Sequence, residues 1–106
     1  MVQESKIKAA VDLLVDACQP RKIILFGSQA RGDADDDSDV DLMIVEDEVE
    51  DVGSEIVRLC RVISPLLLPA DIIVASQEHF DYWRDTPGNV YFEAASEGKV
   101  LYEKAS

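Results

Sequence analysis

Two short apolar runs, residues 23–26 (IILF) and 42–45 (LMIV), limit most strictly how this chain can fold. Each run is too short for a stable helix and is bounded by turn or charged residues, so both are predicted to be buried β-strands. Gly27 and Ser28 follow the first run directly. Glycine has no Cβ and lets a ligand approach the backbone, while serine offers both an N–H and a hydroxyl. If the next residues are helical, their unpaired N–H groups favour an anion, for which phosphate is the obvious candidate.

Two aspartates, Asp39 and Asp41, lie at the start of the second run. Their i, i+2 spacing on a strand puts both side chains on one face, about 7 Å apart at Cα. No Lys or Arg occurs between residues 33 and 51, so the two carboxylates repel each other unless a cation joins them. Hard oxygen ligands favour Mg²⁺ or Mn²⁺, which complete their coordination with water and substrate phosphates. The pattern therefore predicts metal-assisted chemistry on a nucleoside triphosphate.

The glycine turn also has the spacing of a P-loop, since Gly27 and Gly32 are five residues apart. That loop needs a lysine directly after its second glycine, and Asp33 stands there instead. Without the lysine, no cation of the loop reaches the phosphates. The P-loop interpretation is therefore rejected.

The order Gly27-Ser28, ten residues, Asp39-x-Asp41 and an apolar strand resembles the signature of the DNA-polymerase-β-like nucleotidyltransferase superfamily. At 106 residues the chain resembles the minimal nucleotidyltransferases, small proteins often paired with a HEPN-domain toxin. Asp71, at the head of a third predicted strand over residues 71–75, extends the match. The resemblance implies an α/β (α+β) fold with a small mixed sheet flanked by helices, in a single domain spanning residues 1–106.

The resemblance also implies roles for the acids. Asp39 and Asp41 would hold one or two Mg²⁺ ions on the triphosphate of ATP, and Gly27 with Ser28 would hold its phosphates. Asp71 would complete the metal site or take the proton from the attacking hydroxyl, a task that requires hydrogen-bond reach of the acceptor. The alternative for Asp71 is that it caps the turn before its strand.

Arg31, near the end of the same turn, has two interpretations of equal weight. It could neutralise phosphate charge as the transition state forms. It could equally form an ion pair with Asp33 or Asp35, which follow it in the chain.

The implied reaction is attack of an acceptor hydroxyl on the α-phosphorus of ATP, which transfers AMP and releases pyrophosphate. A chain of this length is expected to leave nothing over for an acceptor-holding domain, so a partner protein or a second copy would bring the acceptor. The resemblance implies an antitoxin that adenylylates a tyrosine of a HEPN toxin. One alternative is transfer to a small molecule such as an aminoglycoside, and another is a catalytically idle antitoxin that neutralises by binding alone.

Composition narrows the partners further. Ten basic residues against 22 acidic ones give a formal net charge of −12, which disfavours direct binding of nucleic acid. No apolar run has the length of a membrane span, and the N-terminus lacks the features of a signal peptide. We therefore expect a protein of the cytoplasm.

Helical periodicity predicts helices over residues 4–18 and 49–64. Ser76 is predicted to cap a third helix, and Thr86-Pro87 to start a fourth that stops at Gly98. Residues 100–102 are expected to form a short final strand or a tail. Cys18 and Cys60, single and far apart on the first two helices, resemble neither a zinc pair nor a redox pair, and both are expected to be small core residues.

Overall fold

The computed structural model describes residues 4–32 and 39–105, which form a sheet with helices on both of its faces. Along the chain the helices and strands are α1 (Glu4–Cys18), β1 (Lys22–Phe26), α2 (Ser28–Arg31), β2 (Val40–Glu46), α3 (Val52–Ile63), β3 (Ala70–Ser76), α4 (Gln77–Trp83), α5 (Val90–Glu97) and β4 (Lys99–Glu103). Both apolar runs are strands, and α1 has the predicted bounds, so these predictions are confirmed.

The four strands lie in the order β3-β2-β1-β4. β1 pairs antiparallel with both β2 and β4, while β2 and β3 are parallel. The sheet is therefore mixed, which confirms the predicted fold class. This topology brings the end of β1 and the starts of β2 and β3 to one edge of the sheet.

Successive side chains of β2 point to opposite faces of the sheet, so β2 contributes to a hydrophobic cluster on each face. Leu42 and Ile44 pack against α1 and α3, in a cluster that includes the buried Leu14 and Leu59. Met43 and Val45 pack on the other face, in a cluster with residues of α4 and α5. β2 is thus buried on both faces, which explains why its sequence is an unbroken apolar run rather than an alternating one.

The helix predicted over residues 49–64 is shorter than expected. It begins at Val52 because Asp51 caps it, accepting a hydrogen bond from the Ser54 N–H at 3.1 Å. It ends at Ile63, and a 3₁₀ turn, Ser64–Leu66, follows.

The helix start predicted at Thr86-Pro87 is wrong. The α5 helix begins at Val90, because the Asn89 side chain accepts a hydrogen bond from the Phe92 N–H at 2.9 Å. The same amide donates to the carbonyls of Trp83 and Thr86 at 3.1 and 2.7 Å, which ties the preceding turn to the cap. Three hydrogen bonds by one side chain outweigh the preference of proline for a first helical turn.

Other predictions have mixed outcomes. Ser76 caps α4 by accepting a hydrogen bond from the His79 N–H, and Gly98 ends α5 as predicted. The final segment is a strand, β4, rather than a tail. Cys60 is exposed, so the prediction that it is a core residue is wrong.

Across residues 4–32 and 39–105, none of the helices combines the length and the apolar character that crossing a membrane requires.

Candidate active site

The turn after β1 is built around Gly27, whose backbone has φ 75° and ψ −157°. That region is essentially restricted to glycine, because a Cβ there clashes with the neighbouring backbone. The turn leads at once into α2, where the N–H groups of Ala30 and Arg31 both donate to the Gly27 carbonyl at 3.1 Å. Ser28, half-buried, is the first residue of this short helix, so its N–H has no partner within it.

Asp41 lies directly against this turn. Its register partner on β1 is Phe26, the residue before Gly27. A Cβ built on Gly27 would overlap the Asp41 carboxylate oxygen Oδ2. The glycine is therefore needed both for its backbone angles and for the space that the carboxylate occupies.

Asp41 and Asp71 are register partners on the parallel strands β2 and β3. Asp39 is the residue before β2, two positions from Asp41. Partial burial, then the charge of Asp71 and then that of Asp39, raises the pKa of the Asp41 carboxyl above its ordinary value. The structure thus brings Asp39, Asp41 and Asp71 together at one edge of the sheet, here named the acidic edge, beside the Gly27–Ser28 turn.

The donors of the acidic edge suit a hard divalent cation, but ligand oxygens from all three of its acids do not lie within 4.8 Å of one another, so a shared ion would require the side chains to move. These donors are carboxylate oxygens, the ligands that Mg²⁺ prefers. Asp41 is only partly exposed and bears the repulsion of two neighbouring acids, a cost that a cation between them would relieve. Asp39 and Asp71 are exposed and can be reached from solvent.

Arg31 forms an ion pair that was not considered from the sequence. Its guanidinium lies 3.6 Å from Oε2 of Glu97, at the end of α5, and both side chains are about half exposed. The other two acids considered, Asp33 and Asp35, lie outside the described residues. Arg31 is therefore at the surface, on the helix that follows the glycine turn.

Two acids near the site were missed in the sequence. Glu93 contributes to the raised pKa of Asp41, and Glu97 pairs with Arg31. They are four residues apart on α5, so both lie on one side of that helix. Such spacing indicates an acidic stripe, but only the packing of α5 on the face of β2 that bears Asp41 brings it to the site.

A small mixed sheet with carboxylates at the strand edge, beside a glycine–serine turn, is the architecture of a nucleotide-transferring enzyme rather than of a P-loop protein. The chain belongs to the nucleotidyltransferase family: the family's domain model matches residues 5–99. It is a nucleotidyltransferase, as the sequence predicted.

Two similar proteins come from Methanocaldococcus jannaschii, and each is named a putative protein adenylyltransferase. The first is 37% identical over 108 residues, covering 96% of this chain and 100% of its own length. The second is 39% identical over 54 residues, covering 51% of this chain and 54% of its own.

Two solved structures share the fold. One is described as a putative nucleotidyltransferase from Sulfolobus solfataricus, with a TM-score of 0.63, 19% identity, and coverage of 94% of this chain and 79% of that one. The other is described as a toxin–antitoxin with AMP-PNP, with a TM-score of 0.67, 21% identity, and coverage of 97% of this chain and 75% of that one.

Proposed function

We propose that this nucleotidyltransferase is a Mg²⁺-dependent protein adenylyltransferase that transfers AMP from ATP to a tyrosine of a HEPN-domain toxin, and so acts as its antitoxin. The observation that carries the chemistry is the acidic edge beside the Gly27–Ser28 turn. The names of the Methanocaldococcus relatives support a protein as the acceptor. The description of one structural neighbour, a toxin–antitoxin, supports a toxin as that protein.

The nucleotide would lie between the turn and the acidic edge. The Ser28 N–H and hydroxyl would bind phosphate where Gly27 lets it come close to the backbone. Asp39 and Asp41 would hold the metal, with Asp71 as a third ligand or as a base. When bound, Mg²⁺ would neutralise the charge that the triphosphate and these carboxylates bring together.

The acceptor hydroxyl would approach from the solvent side of the acidic edge, where Asp71 is exposed. Its oxygen forms a bond to the α-phosphorus as the bond from that phosphorus to the bridging oxygen breaks, and pyrophosphate leaves. Asp71 would receive the hydroxyl proton. Its exposure and its register with Asp41 support this role. Arg31 would stabilise the negative charge that develops on the phosphate.

The test uses purified protein, Mg²⁺, ATP labelled on the α-phosphate, and the purified product of the neighbouring gene. We expect label to become covalently attached to a tyrosine of that partner. The double variant Asp39→Asn with Asp41→Asn should lower labelling by at least about 100-fold, since it removes the proposed metal ligands.

A matched control keeps the charge change and moves it away from the site. Asp12 and Asp16 are exposed acids on α1, and the double variant Asp12→Asn with Asp16→Asn should label the partner at the wild-type rate. Equal loss in both double variants would contradict the assignment of the acidic edge. Toxin neutralisation by the Asp39/Asp41 variant at the wild-type level would instead support an antitoxin that acts by binding alone.

A further arm addresses the acceptor. The same mixture is prepared with an aminoglycoside in place of the partner protein. Labelling of the drug but not of the partner would contradict the proposed acceptor and support a small-molecule nucleotidyltransferase. The acidic residues Glu93 and Glu97 beside the site make a cationic acceptor the appropriate one to test.

A further inference from the structure

A second group of reactive side chains lies at the opposite end of β2. Glu46 is the last residue of β2, Cys18 is the last residue of α1, and Glu55 lies in the first turn of α3. One ligand atom from each of the three lies within 4.8 Å of the others. This Cys18–Glu46–Glu55 cluster is on the sheet face covered by α1 and α3, the face opposite to Asp41. The proposed transfer reaction makes no use of it.

Glu46 is the unusual member of the cluster. It is 9% exposed, and it is the one buried charged residue in the described part of the chain. Its oxygen Oε2 is buried and accepts no hydrogen bond from a described N–H or hydroxyl group, and the carboxyl lies beside that of Glu55. A buried carboxyl at this position must keep its proton or gain a cationic partner, because an uncompensated buried charge costs several kcal/mol. A cation at this position would supply the missing partner.

The donors of the cluster indicate which cation fits. A cysteine sulfur combined with two carboxylates is a mixed soft and hard set, which favours Zn²⁺ over Mg²⁺ or Ca²⁺. With bonds of about 2.0–2.3 Å in tetrahedral geometry, ligand atoms lie roughly 3.3–3.7 Å apart. Because the ligand atoms of the cluster already lie within 4.8 Å of one another, the side chains would need to move by only about 1 Å to bind the ion. Water would take the fourth position.

Arg58 supports such a site from outside. Its guanidinium donates to both carboxylate oxygens of Glu55, at 2.8 and 2.7 Å, and to the Ala17 carbonyl at 3.1 Å. These bonds orient Glu55, as hydrogen bonds to metal-ligating side chains commonly do. A thiolate and two carboxylates carry three negative charges, which one divalent cation and Arg58 together neutralise.

We propose that Cys18, Glu46 and Glu55 form a zinc site that joins the end of α1, the end of β2 and the start of α3. On binding, the Cys18 thiol and the Glu46 carboxyl each release a proton to solvent. The thiol also gives up its hydrogen bond to the Leu14 carbonyl (3.2 Å) and forms a sulfur–zinc bond. The site is separate from the acidic edge, so it stands or falls independently of the proposed adenylyl transfer.

The experiment titrates reduced, metal-free protein with Co²⁺ in the presence of excess Mg²⁺, which occupies carboxylate-only sites. We expect a sulfur-to-cobalt charge-transfer band in the near ultraviolet that saturates at one equivalent and disappears when Zn²⁺ is added. Zn²⁺ should also raise the thermal unfolding midpoint of the protein, because it binds only the folded arrangement. Neither readout depends on enzyme activity.

Cys60 supplies the matched control, because it is the other thiol and is exposed on α3. Cys18→Ser should abolish the band, Glu46→Gln should weaken Co²⁺ binding at least ten-fold, and Cys60→Ser should leave both unchanged. Circular dichroism checks that each variant is folded, and Cys18→Ala replaces Cys18→Ser if the latter is not. Absence of the band from the wild type, its survival in the Cys18 variant or its loss in the Cys60 variant would overturn the proposal. Wild-type Co²⁺ affinity in Glu46→Gln would overturn the donor set.

Discussion

Asp41 lies so close to Gly27 that a β-carbon on residue 27 would overlap its carboxylate. Gly27→Ala should therefore destabilise the protein twice, through strained backbone angles and through displacement of Asp41. The two costs are about 1–3 kcal/mol each. Equilibrium unfolding in urea measures the sum.

Gly32→Ala is the matched control for this variant. Gly32 also has positive φ, 82°, but among residues 4–32 and 39–105 no atom beyond its chain neighbour lies within 4 Å of a Cβ built there. The free energy of unfolding of Gly32→Ala should fall by about 1–2 kcal/mol, because only the left-handed backbone is unfavourable for alanine there. Equal losses of unfolding free energy in Gly27→Ala and Gly32→Ala would contradict a steric conflict between a Cβ at residue 27 and Asp41.

Asp71→Asn should separate stability from activity. Since folding raises the pKa of Asp41, the folded chain keeps a proton that the unfolded chain releases, and stability falls as the pH rises through the acidic range. Removing the Asp71 charge should make the loss of stability with rising pH smaller. In EDTA at pH 7 the free energy of unfolding of the variant should exceed that of the wild type by up to about 1 kcal/mol. AMP transfer should be lost. The measurement compares urea unfolding at several pH values with the transfer rate, and a variant that loses stability would contradict the repulsion between these acids.

Glu46→Gln should change how stability depends on pH when metal is removed. Burial, then the neighbouring Glu55, raises the pKa of Glu46 to about 8, while Arg58 partly opposes the shift. The folded chain therefore holds a proton that the unfolded chain releases, so wild-type stability in EDTA should fall between about pH 4.5 and pH 8. The variant cannot titrate at this position and should be more stable than wild type at pH 8 by on the order of 2 kcal/mol. Urea unfolding across this range tests the sign; parallel curves for the two proteins would refute it.

Arg31→Met should reveal whether Arg31 contacts phosphate. If it stabilises developing charge, AMP transfer should fall at least about ten-fold, while the free energy of unfolding changes by less than about 1 kcal/mol because its ion pair is exposed. Arg21→Met is the matched control, since Arg21 also forms an exposed ion pair, with Asp47 at 3.1 Å. Equal transfer rates in the two variants would contradict a role for Arg31 in AMP transfer.

Local signals in the sequence were enough for much of this structure. The apolar runs, the helix over residues 4–18 and the cap at Ser76 depend on neighbours in the chain, and all were predicted. The placing of Asp71 beside Asp41 followed from the resemblance to nucleotidyltransferases, which implied that both acids serve one site. The parallel register of β2 and β3 shows how the fold brings them together.

Features that depend on specific side-chain contacts or on packing between helices and sheet were not predicted. The true start of α5 depends on Asn89 contacting a turn that precedes it, which outweighed the Pro87 signal. Glu93 and Glu97 reach the site only through the packing of α5 on the sheet. No signal in the sequence distinguished Glu46 from the acids that follow it, and its burial depends on α1 and α3, which cover that face of the sheet.

β2 carries acids of both clusters on opposite faces, since Asp41 and Glu46 are an odd number of positions apart. An extra residue between them would turn one of the two side chains to the wrong side of the sheet. A one-residue insertion within residues 42–45 should therefore disable at least one cluster. The same insertion in the connection between β2 and α3 should be tolerated by both, so length variation among natural homologues is expected there and not in the strand.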